Sequence, residues 1–536
     1  MSTARRRLPI GVQSFKVMRE DHFTYVDKSA FIWKLATESR VYFLSRPRRF
    51  GKSLFLSTLA AYFRGQKELF KGLAIEQLEE SEKNDRAVWQ EYPVLYLDFN
   101  AKNYSDVQAL YDVLNAHLRE WETAFMIERQ EESPDGRFNY LLKVLYEKTG
   151  KQAVVLVDEY DKPLLETMSD NPELHETYRK ILKGFYGVLK SCDQYLRFAF
   201  LTGVTKFSKV SIFSDLNNLR DISLEESYAG ICGITEAELK EYFQPEIQAL
   251  GERQTLSYEE TLAALKQHYD GYHFHPDMEG MYNPFSILNA FAKQELGSYW
   301  FSTGTPTFLV EYLKKAYYAI PNLDGGVQMN EAGLETYRAD IVNPLPILFQ
   351  AGYLTIKDYN KFSKLYRLGF PNDEVRYGFL HNLIPAYTSI RADRTGVSVW
   401  QFYEQIEKGD VEGFMEKMKG IISGIPYDTV TEKDIALREQ NYQTAVYLVF
   451  ALMNQFVHTE VHCATGRADC VVEMKDRAYI FEFKLDKNGS AEDAIKQIQE
   501  KGYADKYAGS GKKVIAIGSS FDEVKRTIKD WKTEQL

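Results

Sequence analysis

Cysteine is scarce in this chain and has no pattern. Cys192, Cys232, Cys463 and Cys470 show no C-x-x-C spacing and no paired histidines, which argues against disulfides and zinc and leaves reduced core residues as the reading. Long apolar runs are missing too. Nothing approaches the roughly 20 apolar residues that a bilayer-spanning helix needs, and the longest candidate, Val446-Tyr447-Leu448-Val449-Phe450-Ala451-Leu452-Met453, reads as a buried helix. No apolar segment stands behind Arg5-Arg6-Arg7, so no secretory signal is expected. The expected compartment is the cytoplasm, with no membrane partner. Positive charge is in short supply as well, and a net charge of −10 disfavours adhesion to nucleic acid through the whole surface. Lys512, Lys513, Lys525, Arg526, Lys529 and Lys532 crowd the C-terminus. Such a run reads first as a solvated face, with a local basic patch as the alternative.

At 536 residues the chain exceeds what one hydrophobic core supports, so three or four domains of roughly 100 to 200 residues are expected. Its 44% hydrophobic and 26% charged content is ordinary for a folded protein, so composition alone points to no special class.

Val41-Tyr42-Phe43-Leu44 is a short apolar strand that runs into Arg46-Pro47-Arg48-Arg49-Phe50-Gly51-Lys52-Ser53, and Leu54-Phe55-Leu56-Ser57-Thr58-Leu59 follows as a buried helix. Strand, loop, helix is the order a phosphate loop needs. Backbone N–H groups from Arg48, Arg49, Phe50 and Gly51 through Leu54 would face the phosphates of ATP. Lys52 supplies a mobile positive charge, and the Ser53 hydroxyl is placed to ligate Mg2+. The match to G-x-x-x-x-G-K-[ST] is incomplete, because Arg46 stands where the first glycine belongs.

Val154-Val155-Leu156-Val157 suits the middle of a parallel sheet and ends in Asp158-Glu159. Taken alone, a solvated strand terminus explains such an ending equally well. With a phosphate loop upstream, Asp158 is expected to hold magnesium and Glu159 to polarise the attacking water. Pro93-Val94-Leu95-Tyr96-Leu97-Asp98-Phe99 and Arg197-Phe198-Ala199-Phe200-Leu201-Thr202-Gly203 fit the same sheet. Helical segments between them predict a doubly wound α/β domain with ligands at the strand C-terminal ends. Thr202 lies at such an end, either as a γ-phosphate sensor or as a strand cap. Arg48, Arg49 and Arg220 are the candidates for an arginine finger, and nothing in the sequence chooses among them.

The stretches Val26-Asp27-Lys28, Ser45 to Ser53, Val157-Asp158-Glu159-Tyr160-Asp161, Tyr269-Asp270-Gly271-Tyr272 and Tyr282-Asn283-Pro284-Phe285-Ser286 resemble the bacterial AAA-ATPase-like proteins that carry a C-terminal PD-(D/E)XK nuclease domain. The similarity covers nearly the whole chain. In that family R-P-R-R-F-G-K-S is the usual form of the loop, so Arg46 is a family trait. The resemblance also implies a helical lid near 233–239 and ATPase sites that are often completed in trans by a second copy.

Between 300 and 385 a helix ending near Gly352 precedes Tyr353-Leu354-Thr355-Ile356-Lys357 and Lys364-Leu365-Tyr366-Arg367-Leu368, separated by 358–363. Helix then hairpin is compatible with a winged-helix unit, which binds DNA or packs between domains; packing is the favoured reading. The stretch 393–426 reads as helices and turns.

Residues 466–474 and 477–485 form two alternating strands around Lys475-Asp476. With those two residues as the turn, Met474 opposes Arg477, Val471 opposes Ile480, and Asp469 opposes Glu482. One face then carries Asp469, Glu482 and Lys484. The other carries Cys470, Val472, Tyr479, Phe481, Phe483 and Leu485, a core face. Two opposed carboxylates repel unless a cation sits between them. Asp469, Glu482 and the carbonyl of Phe483 offer hard oxygen ligands for Mg2+ or Mn2+, and Lys484 can position or deprotonate the water that attacks a phosphodiester. A plain solvent-facing hairpin is the competing reading. Glu439 precedes an apolar helix at 442–453, where the resemblance implies a further acidic ligand, and it implies Gln497 and Tyr503 as accessory positions. Ala468 stands where the motif's proline would be.

The expected fold class is α/β: a P-loop NTPase, AAA-like, followed by a PD-(D/E)XK nuclease-like α/β domain. The expected organisation is an ATPase core over 1–228, a helical lid over 229–299, a winged-helix-like region over 300–390, a helical linker over 391–428 and the nuclease-like domain over 429–536. The expected function is an ATPase gating a metal-dependent nuclease that acts on DNA in preference to RNA. The alternative is a nucleotide-controlled regulatory or nucleic-acid-binding module with an inactive nuclease-like domain.

Overall fold

The computed structural model describes residues 7–536 apart from 85–86, 169–170, 207–212, 214–215, 302–308, 311, 314–317, 319, 321–322, 324–325, 336–342, 424–434, 455–460, 463–469, 508, 523–524 and 526; at 101, 335, 435–443 and 461–462 it describes the backbone alone. The chain folds as two compact units, one of Met1–Trp300 with Gln328–Asn372, the other of Phe301–Val327 with Asp373–Leu536. The stretch 300–390 is therefore shared between them.

The first unit is built on strands β1 (Val41–Ser45), β2 (Val94–Asp98), β3 (Ala153–Asp158), β4 (Leu196–Gly203) and β5 (Arg220–Asp221). They pair in the order β2-β3-β4-β1-β5, every pairing parallel. β1 and β3 are buried along their whole length, as central strands covered on both faces must be. The sheet is overlaid by α1 (Lys52–Phe63), α2 (Val107–Ala124), α3 (Pro134–Thr149), α4 (Lys162–Thr167) and α5 (Pro172–Ser191). From α1, Phe55 and Phe63 meet Phe200 and Phe198 of β4 with ring centroids 5.9 and 4.8 Å apart. Register places Ser45 beside Gly203 and Asp158 beside Asp98, so the C-terminal ends of the sheet converge on one rim.

The stretch expected as a helical lid folds as α6 (Glu236–Gln254), α7 (Tyr258–Tyr269) and α8 (Pro284–Lys293). Thr235 with Glu238 and Ser257 with Glu260 close capping boxes, and Asn283 caps α8 ahead of Pro284. Each such cap is worth about 1 kcal/mol. Leu239, Phe243, Ile247, Leu265 and Phe291 form the lid core.

A three-stranded sheet follows, β6 (Val327–Asn330), β7 (Thr355–Asn360) and β8 (Leu365–Gly369), in the order β6-β8-β7. Helix α9 (Leu345–Gln350) lies between β6 and β7 in sequence. β7 runs to Asn360, three residues beyond the expected end, because a register shift between Ile356 and Asp358 sets Tyr359 opposite Tyr366, with rings 4.5 Å apart. All six residues of α9 are buried. A helix buried on every side is held by packing within its own unit.

In the second unit, α10 (Asp373–Tyr387), α11 (Thr395–Lys408), α12 (Val411–Ser423) and α13 (Ile435–Met453) precede a sheet of β9 (Val461–His462), β10 (Cys470–Glu473), β11 (Arg477–Leu485), β12 (Lys513–Asp522) and β13 (Thr527–Gln535). The order is β13-β12-β11-β10-β9. β11 and β12 run parallel, joined through α14 (Ala491–Glu500), and the other pairings are antiparallel. The hairpin register is the one expected: Val471 opposes Ile480, and Met474 N donates to Arg477 O across the two-residue turn at 2.8 Å. Cys470, Val472, Tyr479 and Phe481 are buried as expected, but so are Val471 and Ile480 on the opposite side, against Ile495 and Ile498 of α14. β11 is a central strand, which the hairpin alone does not reveal. Among the described residues no helix is long and apolar enough to cross a membrane.

Candidate nucleotide site and nuclease-like site

Arg46, the residue in place of a glycine, is 1% exposed. Its guanidinium donates to the carbonyls of Ser45, Ser223, Tyr228 and Ala229 at 2.8 to 3.4 Å and stacks 4.0 Å from the Phe274 ring centroid. Burial lowers its pKa to about 10, so it stays charged at neutral pH. The loop thus trades a flexible start for one stapled to 223–229. Phe50 is held by Tyr272 and Phe274, rings 4.7 and 5.4 Å away, which gives the Tyr-Asp-Gly-Tyr stretch its place. Gly51 caps α1 at φ +93, a backbone region that L side chains avoid.

Lys52 is buried, and its ammonium donates to the carbonyls of Arg46 and Pro47 at 3.0 and 3.1 Å, 3.8 Å from Glu159 Oε1. Asp158, 2% exposed, accepts from Thr202 Oγ1 at 2.8 Å. Burial pushes its pKa up against hydrogen bonds from Ser53 and Thr202 and the nearby Lys52 charge. A desolvated carboxylate joined to a serine hydroxyl is a hard oxygen pair short of positive charge, and this donor set fits magnesium. Glu159 follows at φ +52. A non-glycine residue in the left-handed region costs of order 1 kcal/mol or more and recurs at functional sites. Tyr96 of β2 also hydrogen-bonds Asp158, and its own pKa is raised chiefly by burial.

Of the three finger candidates, Arg220 is committed to Glu38 at 3.0 Å and Glu225 at 2.7 Å. Arg48 and Arg49 are exposed, the first with its carbonyl held by Trp300 Nε1 at 3.2 Å, the second lying 5.0 Å from the Phe285 ring. Beside Gly51 and Leu54 opens a mostly apolar cavity lined by Tyr25, Val26, Phe50 and Ile231. Lys28 spans from this N-terminal segment to Glu238 of the lid at 2.5 Å.

In the second unit Glu482 is buried at 4% exposure on β11. Gln497 of α14 donates to Glu482 Oε1, Lys484 donates to Gln497 Oε1, and Lys484 Nζ stands 3.6 Å from the same Glu482 oxygen. Glu482, Lys484 and Gln497 are therefore one cluster. Asp469 lies outside the described residues, as does the side chain of Glu439, whose backbone belongs to α13. Among the described residues no group of three His, Cys, Asp or Glu could hold a metal; Glu482 is the described carboxylate of this cluster, beside the Phe483 carbonyl. Cys192, Cys232 and Cys470 are free and buried, and Cys463 lies outside the described residues. Of the C-terminal basic residues, Lys512 pairs with Glu473, Lys529 with Asp486 and Lys532 with Glu492.

A parallel sheet in this order, with Gly-Lys-Ser after β1 and Asp-Glu at the end of β3, defines a P-loop nucleoside-triphosphatase fold, and the C-terminal mixed sheet fits a nuclease-like domain. Residues 9–213 match the family model of a predicted AAA-ATPase, and residues 437–531 that of the PD-(D/E)XK nuclease superfamily. A relative from Azotobacter chroococcum mcd 1, "Uncharacterized protein in vnfD 5'region", is 36% identical over 540 residues, covering 99% of this chain and 100% of its own length. The chain belongs to the family of predicted AAA-ATPases with a C-terminal PD-(D/E)XK nuclease-superfamily domain.

The structure brings Lys52, Ser53, Asp158, Glu159 and Thr202 together, and Glu482 with Lys484 and Gln497. Sequence reasoning gave no role to Tyr96, Asp161, Lys206 or Gln350. Asp161 stood in plain view three residues after Asp158; Gln350 carried no local signal at all.

Proposed function

We propose that the chain hydrolyses ATP in its first unit and thereby gates a divalent-metal-dependent phosphodiesterase in its second, acting on DNA in preference to RNA in the cytoplasm. The observation that carries the first half is Glu159, strained at φ +52 and 3.8 Å from Lys52, next to the buried Asp158. The loop N–H groups and Lys52 bind the phosphates, with Lys52 giving up the carbonyls of Arg46 and Pro47. Glu159 orients the attacking water and takes its proton, and Thr202 reports on the γ-phosphate. Asp158 and Ser53 would hold magnesium, which would supply positive charge against the phosphates. The apolar cavity beside Gly51 suits a flat purine base, and Arg48 or Arg49, exposed on the loop, would serve a second copy as a finger.

For the second half, Glu482 and the Phe483 carbonyl, joined by Asp469 and Glu439 from the sequence, would hold the metal, which polarises the scissile phosphate. Lys484, fixed by Gln497, orients the water and balances charge on the phosphate. Cleavage of plasmid and single-stranded DNA with ATP and manganese tests this, comparing wild type with Lys52→Ala and Lys484→Ala. Loss of scission in both supports the gated nuclease. Scission that survives Lys484→Ala removes this site, and binding without scission in the wild type leaves a regulatory module.

A further inference from the structure

The segment 203–206, just past Thr202, has its backbone groups claimed from several sides. Gly203 O accepts from Arg46 N at 3.2 Å, and Val204 O from Ser45 Oγ at 2.6 Å. Asp161, fully buried, accepts from Val204 N at 3.0 Å and from both Thr205 N and Thr205 Oγ1 at 2.6 Å. The Tyr160 hydroxyl donates to Thr205 O at 2.8 Å. Glycine at 203 permits this closeness, since a Cβ there would stand 2.5 Å from the Tyr160 ring. At the far end Lys206 N donates to Gln350 Oε1 at 2.7 Å, and its ammonium lies 3.0 Å from Asp221 of β5. Gln350 Nε2 in turn donates to Leu334 O at 2.9 Å.

Buried polar groups resist losing their partners, because each one orphaned costs about 1–3 kcal/mol. The segment therefore moves with its partners or holds still. Those partners are the phosphate loop's start, the turn carrying Glu159, and one side chain of α9. Nothing on α9 other than Gln350 is polar, and all of α9 is buried, so this amide sits there for its hydrogen bonds.

We propose that Gln350 is a positioning residue for nucleotide hydrolysis: by holding Lys206 it fixes the segment that follows Thr202, and it ties the state of the nucleotide to α9 and Leu334. This rests on the ATP-hydrolysis reading above. Gln350 touches no reacting atom and acts through Lys206 and Thr202.

Two substitutions separate the hydrogen bond from packing. Gln350→Met keeps the volume and loses both bonds; Gln350→Glu keeps the accepting oxygen. In the full chain, Gln350→Met is expected to lower kcat for phosphate release about 10- to 100-fold while KM for ATP stays within about twofold. Gln350→Glu recovers most of that loss. A wild-type kcat in Gln350→Met, a rise in KM alone, or equal losses in both variants overturns the proposal. Amide exchange with a non-hydrolysable ATP analogue gives a readout free of turnover. The wild type should gain protection at 46–53 and at 345–354, and Gln350→Met at 46–53 alone. Protection of the wild type at 46–53 without 345–354 overturns the relay and leaves the nucleotide site standing, whereas no response at either removes both readings.

Discussion

At the nucleotide site the reactive groups stand at the ends of neighbouring parallel strands, whereas at the nuclease-like site they stand on one strand and the helix that crosses over it. Asp158 and Thr202 end β3 and β4, and the loop with Lys52 and Ser53 follows β1, strands whose registers are fixed by backbone ladders. Glu482 and Lys484 share β11 and depend on Gln497 of α14 for their arrangement. Backbone pairing fixes the first site, and helix packing distance fixes the second.

The largest effect should come from breaking the first site's chemistry without its geometry. Glu159→Gln keeps the shape and removes the base, so phosphate release should fall about 10²- to 10⁴-fold, with nucleotide affinity retained in a fluorescent-analogue titration. DNA scission measured on the same protein then sharpens the comparison. A parallel fall shows that the second site waits on the first, and undiminished scission shows two independent sites.

Arg46→Gly comes next. It restores the usual phosphate-loop glycine, yet it removes one donor from each of four carbonyls and empties the space over Phe274. Calorimetry of the full chain should show a loss of about 3 kcal/mol. A variant as stable as the wild type would mean that the staple at 223–229 does nothing for the loop.

The contrast in placement also explains what the sequence made legible. The strand-loop-helix succession, the Gly-Lys-Ser loop and the Asp-Glu turn are local patterns, and their residues meet in the structure. The hairpin register was legible for the same reason, since alternation and a two-residue turn determine it. Gln350 was not, because its partner Lys206 lies 144 positions away and nothing in a buried six-residue helix advertises a long-range bond. Arg46 in place of the glycine was legible as a departure from the motif, but its burial against four carbonyls and an aromatic ring was not, because its partners other than Ser45 lie far along the chain. The second covered face of β11 was hidden because α14 and β12 come later in the chain.

A smaller effect is set by pH. Burial, with the Glu159 charge nearby, pushes Asp161 from 3.8 up to about 6. A raised carboxyl pKa means that the folded chain binds the proton more readily than the unfolded one. This group's contribution to stability is thus full below about pH 4 and is lost as pH rises through about 6. Denaturant midpoints between pH 4 and 7 should carry that slope, and Asp161→Asn should flatten it. A slope unchanged in Asp161→Asn would assign the titration to another carboxyl of the rim.

The smallest change strikes the second site alone. Gly518 of β12 pairs with Glu482, and a Cβ there would lie 2.3 Å from Ala491 O and 2.8 Å from Ile495 N of α14. Backbone atoms cannot swing aside as a side-chain tip can, so Gly518→Ala must push α14 off the sheet, at about 1–3 kcal/mol. Gln497 rides on that helix, and its bond to Glu482 and its hold on Lys484 stretch together. Scission should drop well beyond what the small stability loss predicts, while phosphate release stays within about twofold, because geometry at a reacting centre is more sensitive than folding to a shift of an ångström. Equal scission in Gly518→Ala and wild type would show that the Glu482 cluster does not need α14, and the difference drawn between the two sites would fall with it.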